Sequence, residues 1–247
     1  GAPVGYIVRL TATGALDPTF NTGTGFNNGM LQLALQPDGK MLVAGSATDF
    51  NGSAIGRFAR LNSNGTLDAT FNVGGGGFNS TGTSSVALQS DGKILVGGAF
   101  DQYNGISRTH FARLNYDGSL DMAYAPAVND GTYSIVLQPD GKALIGGWFT
   151  DINGLTRIGV ARLLTTGAVD LTFNAGSTVL GGVSGVALTS TGAILVGGYF
   201  NTTNGASTNY FVRLTSTGAV DGTFNLGAGC DGNVVKVLVQ TDGKVIP

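Results

Sequence analysis

A stretch of about fifty residues occurs five times in this chain, and this repetition limits what the chain can fold into. The dipeptide Arg-Leu marks the copies with spacings of 51, 53, 49 and 51 residues, at Arg9, Arg60, Arg113, Arg162 and Arg213. Repeats of this length indicate supersecondary units that stack on one another, because one unit cannot bury its apolar face alone. Most recurring residues are therefore expected to be structural.

The composition favours short strands that are joined by tight turns. Glycine makes up 42 of the 247 residues, and all fifteen acidic residues are Asp. Asp and Gly form turns, whereas Glu, which is absent, favours helices. Hydrophobic residues make up 42% of the chain, which is enough for a folded core. The net charge of −2 and the lack of a basic stripe argue against nucleic acid as a partner.

One copy of the repeat, beginning at residue 85, predicts four antiparallel strands. Residues 85–89, 93–100 and 111–115 have the apolar content of strands, and a fourth strand begins at residue 119. The reversals between them carry Asp-Gly or Asn-Gly turn signals. Four antiparallel strands make one blade of a β-propeller. We therefore predict an all-β fold, a five-bladed β-propeller with four antiparallel strands per blade, as a single domain over residues 1–247.

The register of the last hairpin in each copy follows from its turn. A three-residue loop with Gly in the left-handed position puts Arg113 opposite Asp121 and Leu114 opposite Leu120. A slip by one residue would turn each Leu to the wrong side of the sheet. The same construction predicts five ion pairs: Arg9–Asp17, Arg60–Asp68, Arg113–Asp121, Arg162–Asp170 and Arg213–Asp221.

The first hairpin of each copy obeys the same rule and places Gln89 opposite Lys93. The fourth copy differs, because Thr189, Thr191 and Ala193 stand where the other copies have Gln, Asp and Lys. Since the three polar residues are lost together, we expect them to form one polar cluster at the turn.

The two ends of the sequence carry complementary halves of a unit. Residues 230–247 supply a first and a second strand, and residues 1–21 supply a third and a fourth. We therefore expect both ends to share the closing blade of a ring. The joined unit is about eight residues shorter than the others. Two explanations stay open: a blade that is naturally trimmed, and a chain that was cut from a longer protein.

Residues 31–72 carry the repeat pattern almost whole. They contain Leu-Gln-Pro-Asp-Gly-Lys-x-Leu-Val and then Ala-Arg-Leu-Asn-x-x-Gly-Thr-Leu-Asp-x-Thr-Phe-Asn. This pattern resembles the bacterial "delta sixty" β-propeller repeats, and the resemblance covers all five units. It implies a large secreted or cell-surface bacterial protein. The family supplies no catalytic motif, so no functional residue is carried over. Tyr124-Ala125 departs from the pattern, which expects Phe-Asn.

The residues do not suggest a catalytic site or a metal site. The single His, His110, lies where other copies have Arg57, Gly159 or Tyr210, so we interpret it as a surface substitution. Too few ligands are present for a structural zinc site. The Asp of the repeated Asp-x-Thr-Phe-Asn motif is expected to cap backbone N–H groups, with calcium binding as the alternative. We therefore predict no enzyme activity, no metal and no cofactor.

The copies diverge mainly in the loops opposite the Asp-Gly turns, which we name the loop face. Loops on a rigid scaffold commonly bind ligands, and aromatic side chains there suit a sugar or a protein. The predicted ligand-binding residues of the loop face are Trp148, Tyr199, Tyr103, Arg108 and Arg157. The alternative for Trp148, and for the series Phe100, Phe149 and Phe200, is packing between blades.

Lys236 completes the predicted binding residues. Five aligned positions begin the innermost strands and are expected to ring one mouth of a central channel: Gln32, Ser85, Ser134, Gly185 and Lys236. A single positive charge at this mouth would suit a small anion or an acidic group of a partner. A channel that holds only water is the alternative.

These observations together predict a non-enzymatic extracellular binding or adhesion module that recognises a glycan or a protein through its loop face. The alternative is a structural subunit of an extracellular assembly or filament. Abundant Ser, Thr, Asn and Gly favour a secreted or cell-surface location. We expect no membrane insertion, because no apolar run approaches the roughly 20 residues that a membrane-spanning helix needs.

Overall fold

The computed structural model describes residues 5–72, 75–79, 82–176, 181–200, 202–203, 206–207, 209–227 and 229–247. The chain forms two compact units, residues 1–121 and 122–247. The described residues contain 22 β-strands and no helix, which confirms the all-β fold. None of these residues therefore belongs to a helix that could span a membrane.

The N-terminal unit contains two three-stranded antiparallel sheets and two small hairpins. Its strands are β1 (Met30–Leu35), β2 (Met41–Gly45), β3 (Asp49–Phe50), β4 (Ser53–Ala54), β5 (Phe58–Leu61), β6 (Gly82–Leu88), β7 (Ile94–Ala99), β8 (Gln102–Tyr103), β9 (Ile106–Ser107) and β10 (Phe111–Leu114). The sheets have the order β1-β2-β5 and β6-β7-β10. The hairpins are β3-β4 and β8-β9.

The C-terminal unit repeats this arrangement and adds one hairpin. Its strands are β11 (Thr132–Leu137), β12 (Ala143–Gly147), β13 (Asp151–Ile152), β14 (Leu155–Thr156), β15 (Val160–Leu163), β16 (Val183–Leu188), β17 (Ile194–Gly198), β18 (Thr202–Thr203), β19 (Ala206–Ser207), β20 (Phe211–Leu214), β21 (Leu238–Val239) and β22 (Val245–Ile246). The sheets are β11-β12-β15 and β16-β17-β20. The hairpins are β13-β14, β18-β19 and β21-β22.

Each of these sheets has three strands, whereas the sequence predicted four. The fourth strand is reduced to one bridging pair, such as Leu61 with Leu67. It ends there because the next residue, Asp68, begins a turn. Asp68 Oδ1 accepts hydrogen bonds from Thr70 N at 3.0 Å and from Thr70 Oγ1 at 2.6 Å. This local bond turns the backbone out of the strand direction, and it confirms the predicted capping role of Asp.

The predicted hairpin registers are confirmed in both units. In the second complete repeat, Gln89 N donates to the Lys93 carbonyl at 2.8 Å, and Asp121 N donates to the Arg113 carbonyl at 2.9 Å. The glycine of the second turn, Gly118, has a φ of 85°, a conformation that a residue without a Cβ adopts at little cost. The same bridge forms in every copy: Leu10–Leu16, Leu61–Leu67, Leu114–Leu120, Leu163–Val169 and Leu214–Val220.

Within each unit, the first strand of one repeat covers the sheet of the repeat before it. Val86 of β6 lies in one buried cluster with Leu42 and Phe58. Val186 of β16 lies in another cluster with Leu144. Burying such side chains contributes about 1.5–3 kcal/mol each, so the contact between consecutive sheets is a main source of stability. The Phe series is part of the core, as one of the two interpretations predicted: Phe100, Phe149 and Phe200 are buried.

An ion-pair network joins the two hairpins of a repeat. The five predicted Arg–Asp pairs all form, with nitrogen-to-oxygen distances between 2.7 and 2.9 Å. Arg60, which is 2% exposed, lies 2.7 Å from Asp68, and Lys40 lies 2.8 Å from the same carboxylate oxygen. The Arg60 guanidinium also stacks on the rings of Phe71 and Tyr116. The pair therefore holds the hairpin register in the interior of the unit.

The expected cluster of Gln, Asp and Lys at the first turn is wrong in part. The Lys40 side chain reaches across to Asp68 of the second hairpin, because that carboxylate lies beside the buried Arg60. Gln36 is buried, and among the described residues its amide group has no hydrogen-bond partner. In two copies the Lys also contacts the Asp of its own turn, at 3.2 Å for Lys142–Asp140 and at 2.8 Å for Lys244–Asp242, so the Asp–Lys part of the cluster is confirmed there.

A backbone position with a positive φ recurs three residues before the Arg of each Arg–Asp pair. Four of the five copies place a residue other than Gly there with a positive φ: Tyr6, Arg57, His110 and Tyr210. The fifth copy has Gly159. At His110 the φ is 62°, and the flanking residues close a tight turn in which Phe111 N donates to the Thr109 carbonyl at 2.8 Å. Turns of this kind are strained for residues that carry a Cβ.

We predict that Asp68→Asn lowers the free energy of unfolding by about 3–5 kcal/mol at pH 7, because two cations then lose their partner beside a buried Arg. Burial opposes ionisation of Asp68, yet hydrogen bonds from Lys40, Thr70 and Arg60 outweigh it and hold its pKa below the ordinary value of 3.8. The contribution of the carboxylate is complete above pH 3.8 and is lost as the pH falls toward the lower pKa of the folded state.

Urea unfolding at pH 7 and at pH 3 measures both effects. The difference in the free energy of unfolding between wild type and Asp68→Asn should be smaller at pH 3 than at pH 7. The matched control is Asp221→Asn. The Arg213–Asp221 pair is more exposed, so this variant should lose less free energy of unfolding than Asp68→Asn. Equal losses in the two variants would contradict the assignment of Asp68 to a buried network.

We predict that His110→Gly raises the free energy of unfolding by about 1 kcal/mol, because glycine relieves the strained φ. Thermal unfolding followed by circular dichroism measures the change as a rise in Tm. Thr109→Gly serves as the control, since Thr109 is not among the positive-φ residues and added chain entropy should destabilise that variant. A Tm that falls in both variants would refute the strain at His110.

Candidate functional site

Three aromatic side chains of the C-terminal unit form a partly exposed row, which we name the aromatic row: Tyr133, Trp148 and Tyr199. The ring centroids of Tyr133 and Trp148 are 6.1 Å apart, with their planes at 70°. The Trp148 and Tyr199 centroids are 5.9 Å apart, at 74°. Trp148 is 51% exposed and Tyr199 is 46% exposed. The edge-to-face geometry favours mutual contact of the rings while leaving them accessible.

The strands explain why these three side chains meet. Trp148 follows the end of β12, and Tyr199 follows the end of β17. Tyr133 occupies a bulge in β11, because Thr132 pairs with Gly147 while Ser134 already pairs with Gly146. A bulge inserts one unpaired residue and redirects its side chain. The bulge therefore places Tyr133 beside Trp148, although the two lie in different strands.

The aromatic row packs against the backbone of two glycines, Gly131 and Gly182. Trp148 N donates to the Gly131 carbonyl at 2.9 Å, and Tyr199 N donates to the Gly182 carbonyl at 2.8 Å. A Cβ placed on Gly182 would overlap the Trp148 indole. A Cβ on Gly131 would overlap the Tyr133 ring. Both rings thus rest directly on the backbone, and a larger residue at either glycine would displace them.

An exposed carboxylate borders one end of the row. Asp130 Oδ1 accepts a hydrogen bond from Gly131 N at 2.6 Å. Burial raises the pKa of the Tyr133 hydroxyl, and the nearby charge of Asp130 raises it further. Tyr133 therefore stays protonated and can donate a hydrogen bond, while Asp130 can accept one. The site combines apolar ring surface with a donor and an acceptor.

The equivalent positions of the N-terminal unit share this framework without the aromatic rings. Strands β1 and β6 have the same bulge, which carries Leu31 and Ser84 in place of Tyr133. Ser46 and Ala99 stand in place of Trp148. The aromatic row is thus not required by the fold, since two repeats form the same bulge with other side chains.

The prediction of Tyr103 as a ligand-binding residue is wrong. Its side chain is 0% exposed and lies in the core of the N-terminal unit against Phe78 and Phe100. Its hydroxyl donates to the carbonyl of Gly118, and burial raises its pKa. Tyr103 packs inward because it bridges to Phe78 at the small hairpin β8-β9, which turns its ring beneath the sheet.

Arg108 and Arg157 lie on equivalent small hairpins, one in each unit. Both are half-buried. Arg108 Nη1 donates to the Ser107 carbonyl at 2.8 Å, and Arg157 Nη1 donates to the Thr156 carbonyl at 2.8 Å. Each guanidinium thus binds the backbone of its own hairpin. Of the predicted loop-face residues, the structure brings Trp148 and Tyr199 together.

Within each unit, the side chains at the positions predicted to ring a channel mouth contact the first strand of the next repeat, and the ring itself stays a prediction. Gln32 Nε2 donates to the Val86 carbonyl at 3.3 Å, and Val86 N donates back to its Oε1 at 3.2 Å. Ser134 Oγ accepts from Val186 N at 3.0 Å. These side chains point sideways to the next strand, because the bulge before them shifts the register. Lys236 is exposed, and its backbone packs on Gly185.

Two surface clefts along the outer strands do not form a second site. They have volumes of about 280 Å³ beside β20 and about 290 Å³ beside β5. Their charged side chains are the structural pairs Arg213–Asp221 and Arg60–Asp68. Each cleft lies where a fourth strand would otherwise cover the sheet edge. In the described ranges, no group of three His, Cys or Asp side chains is close enough to hold a metal ion.

We predict that Gly182→Ala displaces the Trp148 indole, because the added methyl group would overlap it. The chain has a single Trp, so its intrinsic fluorescence reports on Trp148 alone. The emission maximum and acrylamide quenching should change relative to wild type. Gly222→Ala is the control, since a Cβ there meets nothing within 4 Å. An unchanged spectrum for Gly182→Ala would contradict the contact.

Solved structures with a similar fold include a β-propeller domain and two enzymes. The WD40 β-propeller domain of Doa1 matches with a TM-score of 0.59 at 15% identity, over 90% of this chain and 60% of that chain. A gluconolactonase from Xanthomonas campestris matches with a TM-score of 0.56 at 12% identity, over 98% and 75%. Virginiamycin B lyase from Staphylococcus aureus matches with a TM-score of 0.50 at 16% identity, over 89% and 63%. The sequence matches no curated protein.

These matches correct the expectation that the chain is not an enzyme. The fold that it shares with a gluconolactonase and a lyase is one that carries catalysis, so the lack of a familiar motif does not exclude activity. At 12 to 16% identity the likeness itself shows the fold alone. This chain spans 60% of the length of the Doa1 chain that it matches.

A family model described as "Domain of unknown function (DUF5122) beta-propeller" matches residues 1–20, 36–71, 89–124, 138–173 and 189–224. The five segments cover more than half of the chain and follow the five repeats. Each segment beyond the first begins at the turn of the first hairpin and ends just after the Asp of the second hairpin, with Asp-x-Thr-Phe in three segments and Asp-Met-Ala-Tyr in the segment 89–124. The residues that define the family are therefore those that hold the hairpins together, and this chain belongs to that β-propeller repeat family.

Proposed function

We propose that this chain is a binding or adhesion module that contacts its ligand through the aromatic row of the C-terminal unit. The observation that carries the proposal is the exposure of Trp148 and Tyr199, whose rings contact one another. The Trp148 indole packs directly against Gly182. Aromatic rings contribute much contact area at a low cost in side-chain entropy, so they recur where proteins bind ligands. Isolated exposed apolar residues would not support the same conclusion.

We propose further that the five repeats close into one five-bladed ring over residues 1–247. The support comes from the five matched segments and from the complementary halves of a unit at the two ends of the sequence. In such a unit the hairpin β21-β22 would be the first two strands, and Leu10 and Leu16, which form an isolated bridge, would lie in the other two. From the repeat pattern of residues 31–72, we also propose that the chain is one of the "delta sixty" repeat proteins and that it is secreted or lies on the bacterial cell surface.

A second candidate function is a structural subunit of an extracellular assembly. The observation that favours it lies on β1, where Leu31, Leu33 and Leu35 are exposed on one side of the strand. Leu33 pairs with Val43 as Val86 pairs with Val96 in the next repeat, yet Val86 is buried against the preceding sheet. In an assembly, a blade of a second chain could cover this uncovered row of leucines, whereas in the closed ring proposed above the closing blade of the same chain would cover it.

We predict that Trp148→Ala abolishes ligand binding without loss of folding, because it removes the central ring of the aromatic row. The measurement is binding of the purified chain to an array of glycans and of extracellular proteins, followed by affinity measurement for the hits. Leu171→Ala is the control, since Leu171 is an exposed apolar residue of the same unit outside the row. Circular dichroism checks that both variants are folded.

Binding that survives Trp148→Ala would refute the proposed site. Filaments or higher oligomers in electron micrographs, lost on Leu33→Asp and kept on Trp148→Ala, would support the structural subunit instead. The two candidate functions are thus separated by whether the activity depends on Leu33 of the N-terminal unit or on Trp148 of the C-terminal unit.

A further inference from the structure

We propose that the aromatic row and Asp130 form a binding site for a neutral oligosaccharide. This inference rests on the proposed binding function and specifies its ligand class. One hexose ring would lie against the Trp148 indole, with a hydroxyl group that donates to Asp130. The inference adds Tyr133 and Asp130 to the site, neither of which stood out in the sequence.

The rings fit a sugar because of their charge distribution. The face of an aromatic ring carries partial negative charge, and the C–H groups of a hexose ring carry partial positive charge. Trp is the side chain with the largest such face, and Trp148 as a residue is 51% exposed. Tyr133 and Tyr199 contact the indole in edge-to-face geometry, with their planes at 70° and 74° to it. The two rings therefore add apolar surface beside the indole for a sugar ring to contact.

Asp130 supplies the polar contact that sugar hydroxyl groups require. Its Oδ1 is held by Gly131 N at 2.6 Å, which fixes the carboxylate next to the row. Within the described part of the chain, its second oxygen has no hydrogen-bond partner. The Tyr133 hydroxyl lies close to Gly131, where a Cβ would overlap it, so the phenol and the carboxylate share one edge of the row. A hydroxyl group that meets this edge finds both an acceptor and a donor.

The charge of the site selects a neutral sugar. An exposed carboxylate repels uronic or sialic acid groups, and the chain has a net charge of −2. A protein ligand fits less well, because stable protein interfaces bury about 1,200–2,000 Å² and three rings flanked by glycines offer far less apolar surface. The same small area suits one or two sugar rings.

The test is isothermal titration calorimetry of the full chain with the hexasaccharides of cellulose, xylan, mannan and starch, and with hexagalacturonate as the anionic probe. We expect at least one neutral hexasaccharide to bind and hexagalacturonate not to bind. Trp148→Ala should abolish that binding. Asp130→Asn keeps the hydrogen bond from Gly131 but removes the charge, and should weaken binding about fivefold. Asp101→Asn, an exposed Asp of the other unit, is the control and should bind as wild type.

The outcomes separate this inference from the function on which it rests. The neutral-sugar site would be overturned if hexagalacturonate alone bound, or if Asp130→Asn bound the sugar as tightly as wild type. The proposed binding function would still stand in either case if Trp148→Ala abolished binding. Capture of a protein in a Trp148-dependent manner, with no sugar bound, would overturn the ligand class only. Sugar binding that does not depend on Trp148 would overturn both.

Discussion

The rest of the structure depends on the Arg–Asp pair that closes the second hairpin of every repeat. Its register aligns the carboxylate with the guanidinium. In three repeats the same carboxylate also pairs with the Lys of the first hairpin, as Asp68 pairs with both Arg60 and Lys40. The second oxygen of Asp68 begins the turn that ends the sheet at three strands. One side chain thereby fixes a register, joins two hairpins and ends a strand. Where the pair is buried, as it is for Arg60 and Asp68, removal of one partner leaves an unpaired charge in the interior, so that pair tolerates little change.

This constraint divides the residues of the chain by role. Positions that repeat hold the hairpins or the contact between sheets, and they leave little freedom for ligand binding. The freedom lies at the ends of the central strands, where the backbone geometry recurs but the side chain does not. Ser46 and Ala99 occupy that place in the N-terminal unit, whereas Trp148 and Tyr199 occupy it in the C-terminal unit. A repeat architecture can acquire a binding surface there without disturbing the network that keeps it folded.

The sequence predicted the all-β fold, the hairpin registers and all five ion pairs, because turn chemistry and the period of two residues determine which side chains face one another. It failed where a contact depends on a local irregularity. The bulge that directs Tyr133 to Trp148 leaves no signal in residue type, since Leu31 and Ser84 occupy the same bulge. Tyr103 shares its aligned position with Ile152, and nothing in one sequence distinguishes an inward ring from an exposed one. Asp130 is one Asp among fifteen, and its place beside the row becomes visible only in three dimensions.

The residues that repeat maintain the fold, and we propose that residues that do not repeat bind the ligand. The most direct test is the indole N–H resonance of Trp148, the single indole of the chain, in a nitrogen–proton correlation spectrum during titration with the neutral hexasaccharides. The account predicts that this resonance shifts progressively to saturation while the Arg Nε resonances of the five ion pairs stay in place. An indole resonance that does not move while other signals shift would contradict it.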